Sequence, residues 1–190
     1  MKKTNIKQGI QFGLILGIIS GIATAYGYAI NNKIYFNYWF LGILILLPIL
    51  LAIMAIVFSK KQNGGFISYK EAFAIFFITI FIGLLISTFV NILVFNVIDP
   101  DFQEVVKNVQ IEGLENQKDK TIEKLYNSDT PESSIIQAEE GFDKAIEKMR
   151  DDKPYEIGKQ FKGFFYGVAI YAALGLIISL FFRKKDKNEY

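Results

Sequence analysis

The chain has 190 residues, of which 52% are apolar and 21% are charged, with a formal net charge of +2 and with neither cysteine nor histidine. Without these two residue types, disulfides, thiol nucleophiles and thiolate or imidazole metal sites are excluded, and so is the side chain that ordinarily titrates near neutral pH. No catalytic residue, cofactor site or metal site is predicted, and we expect the protein not to be an enzyme.

The charged residues are segregated along the chain, as a membrane protein requires. Uncharged apolar stretches cover about residues 8–30, 38–58, 72–98 and 163–182. Each has about 20 residues or more, enough for a helix that rises 1.5 Å per residue to cross a hydrocarbon core of about 30 Å. The predicted fold is an all-α membrane protein with four transmembrane helices and a helical hairpin between spans three and four. Residues 1–98 would hold the first three spans, 99–160 the hairpin, and 161–190 the fourth span with a basic tail.

The first span carries a glycine at every fourth position, namely Gly9, Gly13, Gly17 and Gly21. In water each would cost a helix about 1 kcal/mol relative to alanine, whereas in lipid small residues at this spacing let two helices approach closely. The row therefore predicts a helix-packing face. Further packing candidates are Gly83 and Ser87, in a stripe with Thr79 and Asn91, and Gly163, Gly167 and Gly175 in span four. Packing within one chain is favoured over packing between copies, and both stay open.

Basic residues predict the orientation of the spans. They concentrate in the N-terminal tail, the loop between spans two and three, and the C-terminal tail, as Lys2, Lys3, Lys7, Lys60, Lys61, Lys70, Arg183, Lys184, Lys185 and Lys187. The segment 99–162 has 10 basic and 16 acidic side chains, and segments of this length cross a membrane largely regardless of charge. Both termini are therefore expected in the cytoplasm and the hairpin outside it.

The N-terminus has an alternative interpretation as a secretory signal peptide. Lys2, Lys3 and Lys7 precede an apolar stretch that contains Ala23-Thr24-Ala25, a run of small residues typical of a cleavage site. Cleavage after Ala25 would leave three spans in the same orientation. The regular glycine row favours a retained span, because helix packing uses such a row and cleavage does not.

Asn91 and Asn96 are the most polar side chains near the end of span three. They could line a polar pathway or bind a headgroup, but a hydrogen bond between helices is the favoured interpretation. No span contains an ionisable acid, base or histidine, which argues against transport coupled to protons or cations. Pro48 within span two predicts a kink with an unpaired carbonyl near Leu44.

The segment between spans three and four has a helical pattern. Asp99-Pro100 signals a helix start, after which apolar residues recur at helical spacing to about residue 125, weakened by Gly113. Thr130-Pro131-Glu132 repeats the start signal, and a second apolar face runs from Ile135 to Met149. The two helices are expected to pack on each other or on the lipid surface. Their acidic residues match no calcium loop, and a negative surface argues against nucleic acid.

The residues around the spans resemble those of a known family. Gly65-Phe66-Ile67-Ser68-Tyr69-Lys70-Glu71-Ala72-Phe73 enters span three, Asp99-Pro100-Asp101-Phe102 leaves it, a charged helical insert follows, and the last span ends Phe182-Arg183-Lys184-Lys185. This layout is similar, over nearly the whole chain, to an uncharacterised family of bacterial four-span membrane proteins, domain of unknown function 4199. The resemblance implies a multi-pass protein of the bacterial cytoplasmic (inner) membrane and supplies no catalytic residue. The insert is longer and more acidic than the resemblance leads us to expect.

Two classes of function agree with these features. The first is a non-enzymatic integral membrane protein with a structural, interaction or sensing role, whose hairpin contacts another envelope protein or senses the state of the membrane. The second is a small oligomeric channel or carrier packed through the first-span glycine row. The expected partners are the lipid bilayer and either an envelope protein or further copies of this chain, with no nucleic acid.

Overall fold

The computed structural model describes residues 3–128, 130–153 and 155–184, which form six α-helices, one 3-10 turn and one π-helical segment. The α-helices are α1 (Lys3–Ala29), α2 (Tyr38–Gln62), α3 (Tyr69–Ile92), α4 (Phe102–Tyr126), α5 (Glu132–Asp151) and α6 (Ile157–Phe182). The 3-10 turn (Asn32–Phe36) precedes α2, and the π-helical segment (Leu93–Ile98) extends α3. Of the basic residues that predict the orientation, Lys2, Lys185 and Lys187 lie outside the described residues.

Four described helical stretches are long and apolar enough to cross a membrane: Ile6–Ala29, Trp39–Gln62, Tyr69–Ile98 and Ile157–Phe182. Large apolar side chains such as Ile18, Ile43 and Phe181 are mostly exposed on these helices. Such a surface is unfavourable in water and normal in lipid, where it faces hydrocarbon. The predicted all-α class with four membrane-length helices is confirmed.

α3 is the central helix of the bundle, because α1, α2 and α6 all pack on it whereas α2 and α6 have few contacts with each other. We call the end of the bundle that holds the described ends of the chain the terminal end, and the end that holds α4 and α5 the hairpin end. In the terminal half the core is filled by buried apolar side chains. Eight of its side chains are at most 1% exposed: Leu16, Ala52, Ala55, Ile56, Ala72, Ile75, Phe76 and Ile80.

The turn between α2 and α3 shows why α3 begins where it does. Gly64 and Gly65 have φ angles of +68° and +88°, a left-handed conformation that glycine adopts without steric cost. Ser68 then caps α3, because its Oγ accepts from the backbone N–H of Glu71 (3.3 Å) while the Glu71 carboxylate accepts from the backbone N–H of Ser68 (3.1 Å). This capping box has the sequence signature Ser-x-x-Glu. It places the helix start three residues before the predicted boundary at residue 72.

The terminal end is closed by contacts between this turn and the end of α6. The Lys60 ammonium donates to the carbonyl of Phe182 at 3.0 Å. Ile67 and Lys184 exchange two backbone hydrogen bonds, of 3.0 and 2.9 Å, in an isolated antiparallel bridge. The chain just beyond α6 is therefore tied to the entrance of α3.

α4 and α5 form an antiparallel hairpin whose helices pack on each other. Lys118 of α4 lies 2.7 Å from Asp143 and 3.1 Å from Glu139 of α5, and Arg150 lies 3.3 Å from Glu115. The hydrogen bonds that the Lys118 ammonium donates to Asp143 and Glu139 raise the pKa of Lys118. The buried apolar side chains include Ile111, Ile135 and Ile146. Of the two predicted arrangements, the structure has the one in which the helices pack on each other.

Two local features differ in detail from the sequence pattern, and a third concerns the proline within α2. α4 begins at Phe102, after Asp99-Pro100, with an Asp99 carboxylate oxygen accepting from the Phe102 N–H at 3.2 Å. Thr130 does not cap α5, because its hydroxyl lies 2.7 Å from that of Ser128, and no side chain among the described residues caps that helix. α2 continues through Pro48 to Gln62.

Candidate functional site: the hairpin end of the bundle

The glycine row of α1 is covered by α3 of the same chain. A Cβ added at Gly13 would lie 2.8 Å from the Ile82 Cβ and 3.0 Å from the carbonyl oxygen of Thr79, which is closer than real contacts allow. The Thr79 hydroxyl donates to the carbonyl of Ile75 on its own helix at 2.9 Å and lies 3.3 Å from the carbonyl oxygen of Gly9. We call this α1–α3 contact the glycine seam. Its pairs are Gly9 with Ile78, Gly13 with Ile82, Gly17 with Ile86 and, more loosely, Gly21 with Val90.

The other residues that were predicted to pack between helices form two groups. Those farther from the hairpin end make close contacts, and those nearer to it do not. Gly83 receives the side chain of Leu16, and a Cβ at Gly175 would lie 2.5 Å from a ring carbon of Phe76. Gly167 has only an ordinary contact, 3.4 Å to Leu84, and Gly163 has no atom within 4 Å. Gly163 therefore makes no close helix contact within this chain: it lines a cavity between α3 and α6, while Phe161 and Phe164 on the same helix contact Phe89 and Phe81 of α3.

The two asparagines of span three both join separate segments. The Asn91 side-chain oxygen accepts from the Thr24 hydroxyl of α1 at 2.9 Å. The Asn96 amide donates to the carbonyl of Tyr155, between α5 and α6, at 3.0 Å. Asn91 also lines a cavity. A hydrogen bond between helices and a place in the wall of a polar space are therefore both compatible with its position.

Five aromatic side chains from five segments meet where the hairpin joins the bundle, and we call this cluster the aromatic junction. Its members are Tyr28 of α1, Tyr35 of the 3-10 turn, Phe95 of the π-helical segment, Phe102 of α4 and Tyr155. The rings of Phe95 and Tyr155 stack with centroids 3.9 Å apart, and those of Tyr28 and Phe102 meet edge to face at 4.8 Å. Phe95 and Phe102 are 1% and 6% exposed, so the hairpin is seated on the spans by a buried contact.

The π-helical segment sets the backbone geometry at this junction. The N–H of Asp99 bonds to the carbonyl of Val94, five residues back, at 3.0 Å. The carbonyl of Phe95 instead accepts from the side-chain amide of Gln103 on α4 at 2.6 Å. Widened turns of this kind are frequent at functional sites. Here the turn gives α4 a hydrogen-bonded attachment to span three.

A second attachment explains Gly113, which interrupts the predicted helix pattern. Phe36 of the 3-10 turn packs directly on the backbone of α4 at Gly113, where no Cβ would fit. The glycine therefore weakens α4 locally and at the same time lets the loop between spans one and two dock against the hairpin.

Beneath the aromatic junction lies a cavity of about 250 Å³ between all four spans, which we call the bundle cavity. A neighbouring space of about 330 Å³ between α3 and α6, the vestibule, shares Ser87, Asn91 and Tyr155 with it and extends to Lys159 and Gln160 at the start of α6. The bundle cavity is lined by Leu16, Ser20, Ala23, Thr24, Tyr35, Phe40, Leu44, Pro48, Leu84, Ser87, Asn91, Phe95, Tyr155 and Tyr171. The two spaces together reach the hairpin end of the bundle.

The bundle cavity is closed toward the terminal end. Leu16 lies at its base beside the filled core, and Tyr171 crosses from α6 to α2, where its hydroxyl donates to the carbonyl of Ile45 at 2.9 Å. This carbonyl lies in the helical turn that precedes Pro48, the turn in which the sequence predicts a weakened backbone. In the described residues the polar space thus ends inside the bundle.

The wall of the bundle cavity combines apolar side chains with hydroxyl, phenol and amide groups, and it carries no Asp, Glu, Lys or Arg. The side-chain hydroxyls of Ser20 and Ser87 make no hydrogen bond with any described residue, and the Asn91 amide nitrogen is similarly unused. Burial raises the pKa of Tyr155 to about 12 and that of Tyr35 still further, so both phenols are protonated at neutral pH. The cavity can therefore donate and accept hydrogen bonds without placing a charge in the membrane.

These features together define a four-span, all-helical membrane protein with a polar cavity at one end. The family described as "Protein of unknown function (DUF4199)" matches residues 11–184, and the chain belongs to this family. The family resemblance seen around span three is confirmed. No curated protein and no solved structure matches the chain. Among the described residues, no group of three or more acidic side chains is placed to hold a metal ion.

The aromatic residues of the site were not predicted from the sequence. Tyr155 lies between two helices, and Tyr171 interrupts the small-residue row of α6, so neither belongs to a periodic pattern. An indirect signal existed for Tyr35, because aromatic residues cluster around the loop between spans one and two. Its partners Phe95 and Phe102 are brought to it only by the π-helical turn.

Proposed function

We propose that this protein is a non-enzymatic integral membrane protein of a bacterial cytoplasmic membrane that acts by binding another envelope protein through its hairpin. In this proposal both termini are cytoplasmic and the hairpin lies on the opposite side. The observation that carries the proposal is the aromatic junction. Because it seats α4 on α1, the 3-10 turn and α3, a partner held by the hairpin is coupled mechanically to the spans.

The exposed surface of α4 supports a charged interface. Glu112, Asp119 and Glu123 lie on one side of the helix, at spacings of seven and four residues, and all three are exposed. None of them forms an ion pair with a described residue. A partner with a basic surface would be attracted to this side, with an association rate that falls as salt rises.

The oligomeric channel packed through the glycine row has weaker support. α3 covers Gly9, Gly13 and Gly17, so a second copy could use the row only if α1 left its own bundle. In addition, the bundle cavity is closed at its base by the filled terminal core, and the described residues contain no continuous polar path.

The orientation is tested first, with single-cysteine variants, since the chain has no cysteine of its own. Glu123→Cys on the hairpin should react with a membrane-impermeant maleimide added to intact cells, and Lys61→Cys in the last turn of α2 should react only after lysis. The reverse pattern would reject the proposed orientation.

The partner is tested by crosslinking in native membranes. A photoreactive benzophenone maleimide attached at Glu123→Cys should give a discrete adduct with another protein. Neutralising the neighbours with Glu112→Gln and Asp119→Asn should weaken that adduct, while Glu140→Gln on α5 serves as the control for the loss of an acidic side chain elsewhere on the hairpin. An adduct that the two neutralised positions leave unchanged would exclude the acidic side of α4 as the interface.

A further inference from the structure

We propose that the bundle cavity binds the uncharged, oxygen-bearing end of one membrane amphiphile, such as the glycerol ester region of a diacylglycerol. This inference goes beyond the proposed function, since it requires no partner at the hairpin. It assigns a ligand class to a space whose walls combine hydrogen-bonding groups with apolar and aromatic side chains.

The polar groups of the wall call for an acceptor-rich ligand. Ser20, Ser87 and the amide nitrogen of Asn91 have donors that no described residue uses. Polar groups without partners in a membrane interior are unfavourable, so they are expected to meet either water or ligand oxygens. A space of about 250 Å³ would hold about eight waters at their liquid volume. A glycerol unit with its ester groups is of about the same size as this space.

The charges around the cavity favour a neutral ligand. The wall of the bundle cavity has no ionised side chain to pair with a charged ligand, and an unpaired charge inside the membrane is strongly unfavourable. Lys159 is the cation nearest to the cavity in the vestibule lining, and its ammonium is bonded to the Asp152 carboxylate. A phosphate would therefore have to compete with Asp152 and would still lie in the vestibule.

The location of the cavity favours a molecule that comes from the bilayer. Ile45 is seven residues from the start of α2, so the Tyr171 hydrogen bond to it lies about 10 Å below the hairpin end of that span, inside a hydrocarbon half-layer of about 15 Å. α2 and α6 have few contacts with each other, and the cavity wall between them is apolar at Phe40 and Leu44. The chains of an amphiphile can leave between these two helices into lipid, while its oxygen-bearing end stays beside Ser87.

The experiment places a single thiol in the cavity. Ser87→Cys changes one atom type in a chain without cysteines, and the purified variant in phosphatidylcholine nanodiscs is treated with the neutral reagent methyl methanethiosulfonate. Thr79→Cys, in the fully buried glycine seam, should react at least about tenfold more slowly, because thiol reactivity follows access. Ser133→Cys on the exposed surface of α5 is the freely reactive control.

Protection then reports binding. Dioleoylglycerol added to the nanodiscs should slow modification of Ser87→Cys about tenfold at ten times its Kd, by mass action, and should leave Ser133→Cys unchanged. Adding Asn91→Leu to Ser87→Cys should remove this protection, because the carboxamide is lost at similar volume. If Ser87→Cys does not fold, Ser20→Cys gives the same readout from the α1 side of the cavity.

Each remaining outcome overturns the proposal. A Ser87→Cys thiol as unreactive as Thr79→Cys would show that the cavity is not accessible. Free access without protection by dioleoylglycerol would show a cavity that holds only water. Equal protection by dioleoyl phosphatidylglycerol would contradict selection for an uncharged end, and equal protection by dissolved glycerol would indicate a water-soluble ligand.

Discussion

The terminal and hairpin halves of the bundle use the same helices and pack in opposite ways. On α3 one stripe of small and polar residues, Thr79, Gly83, Ser87 and Asn91, runs through both halves. Leu16 of α1 fills the space at Gly83, whereas one turn further along α1 the residue is Ser20, which leaves a cavity beside Ser87. A small residue on one helix thus gives close packing when its neighbour is large, and a cavity when its neighbour is also small.

The largest effect is expected from Gly13→Leu, which places a side chain in the glycine seam where even a Cβ would lie 2.8 Å from Ile82. Overpacking of this kind costs about 3 kcal/mol or more, and we expect little folded protein to be recovered. Thermal unfolding in detergent and light scattering measure stability and mass. Gly42→Leu on α2, where no atom lies within 4 Å, is the matched control. A stable Gly13→Leu protein that changed only from oligomer to monomer would place the row between copies instead.

A smaller loss is expected when the aromatic junction is opened by Phe102→Ala. The ring is 6% exposed and contacts Tyr28, Tyr35 and Phe95, so its removal should cost about 3 kcal/mol, confined to the hairpin end. Limited proteolysis should cut the hairpin sooner while the spans stay protected. Tyr126→Ala, an exposed aromatic residue on the same helix, should not change the cleavage rate. Equal cleavage of the two variants would mean that the junction does not hold the hairpin.

Filling the bundle cavity should have an effect of the opposite sign. Ser20→Leu adds apolar volume to space that already exists and should raise stability by about 1 kcal/mol. Ser20→Ala, which removes the hydroxyl without filling the space, controls for the lost polar group. Thermal unfolding in detergent compares the two variants. If Ser20→Leu destabilised the protein as Gly13→Leu does, the two halves would not differ in packing.

The smallest effect concerns pH at the exposed linker between α5 and α6. The hydrogen bond from Lys159 holds the pKa of Asp152 below its usual value. A carboxylate of this kind stabilises the fold fully above its ordinary pKa of about 4, and its contribution is lost as pH falls through the lowered value in the folded protein. Hydrogen exchange of the linker should be faster in Asp152→Asn at neutral pH and equal to that of the unsubstituted protein in strong acid.

Salt offers a second check on this ion pair, since both partners are partly exposed and are screened. High salt should reduce the difference between Asp152→Asn and the unsubstituted protein. Asp119→Asn, at an exposed carboxylate without an ion pair, should match the unsubstituted protein in the linker under all of these conditions. A difference that is independent of pH would show that the pair does not order the linker.

Much of the fold could be predicted because it depends on local patterns. The absence of charges over about 20 residues marks a span, and proline and small polar residues mark the ends of the hairpin helices. The same rules failed for a helix cap and for a packing residue, because both depend on which other side chains lie nearby. Thr130 carries a helix-start signal, yet its hydroxyl pairs with Ser128, and Gly163 continues a small-residue row but lines a cavity instead of packing closely on α3.

The sequence by itself determined that this chain has four membrane-length helices, a charged helical insert and a glycine face that requires a neighbouring helix. These properties follow from composition and period, which each segment carries alone. Only the tertiary structure decided that α3 is that neighbour, that five distant aromatic residues form one junction, and that Ser20 faces the same space as Ser87. The physical reason is that a cavity depends on the summed volume of side chains from several helices, and this sum cannot be calculated from the sequence of any one helix.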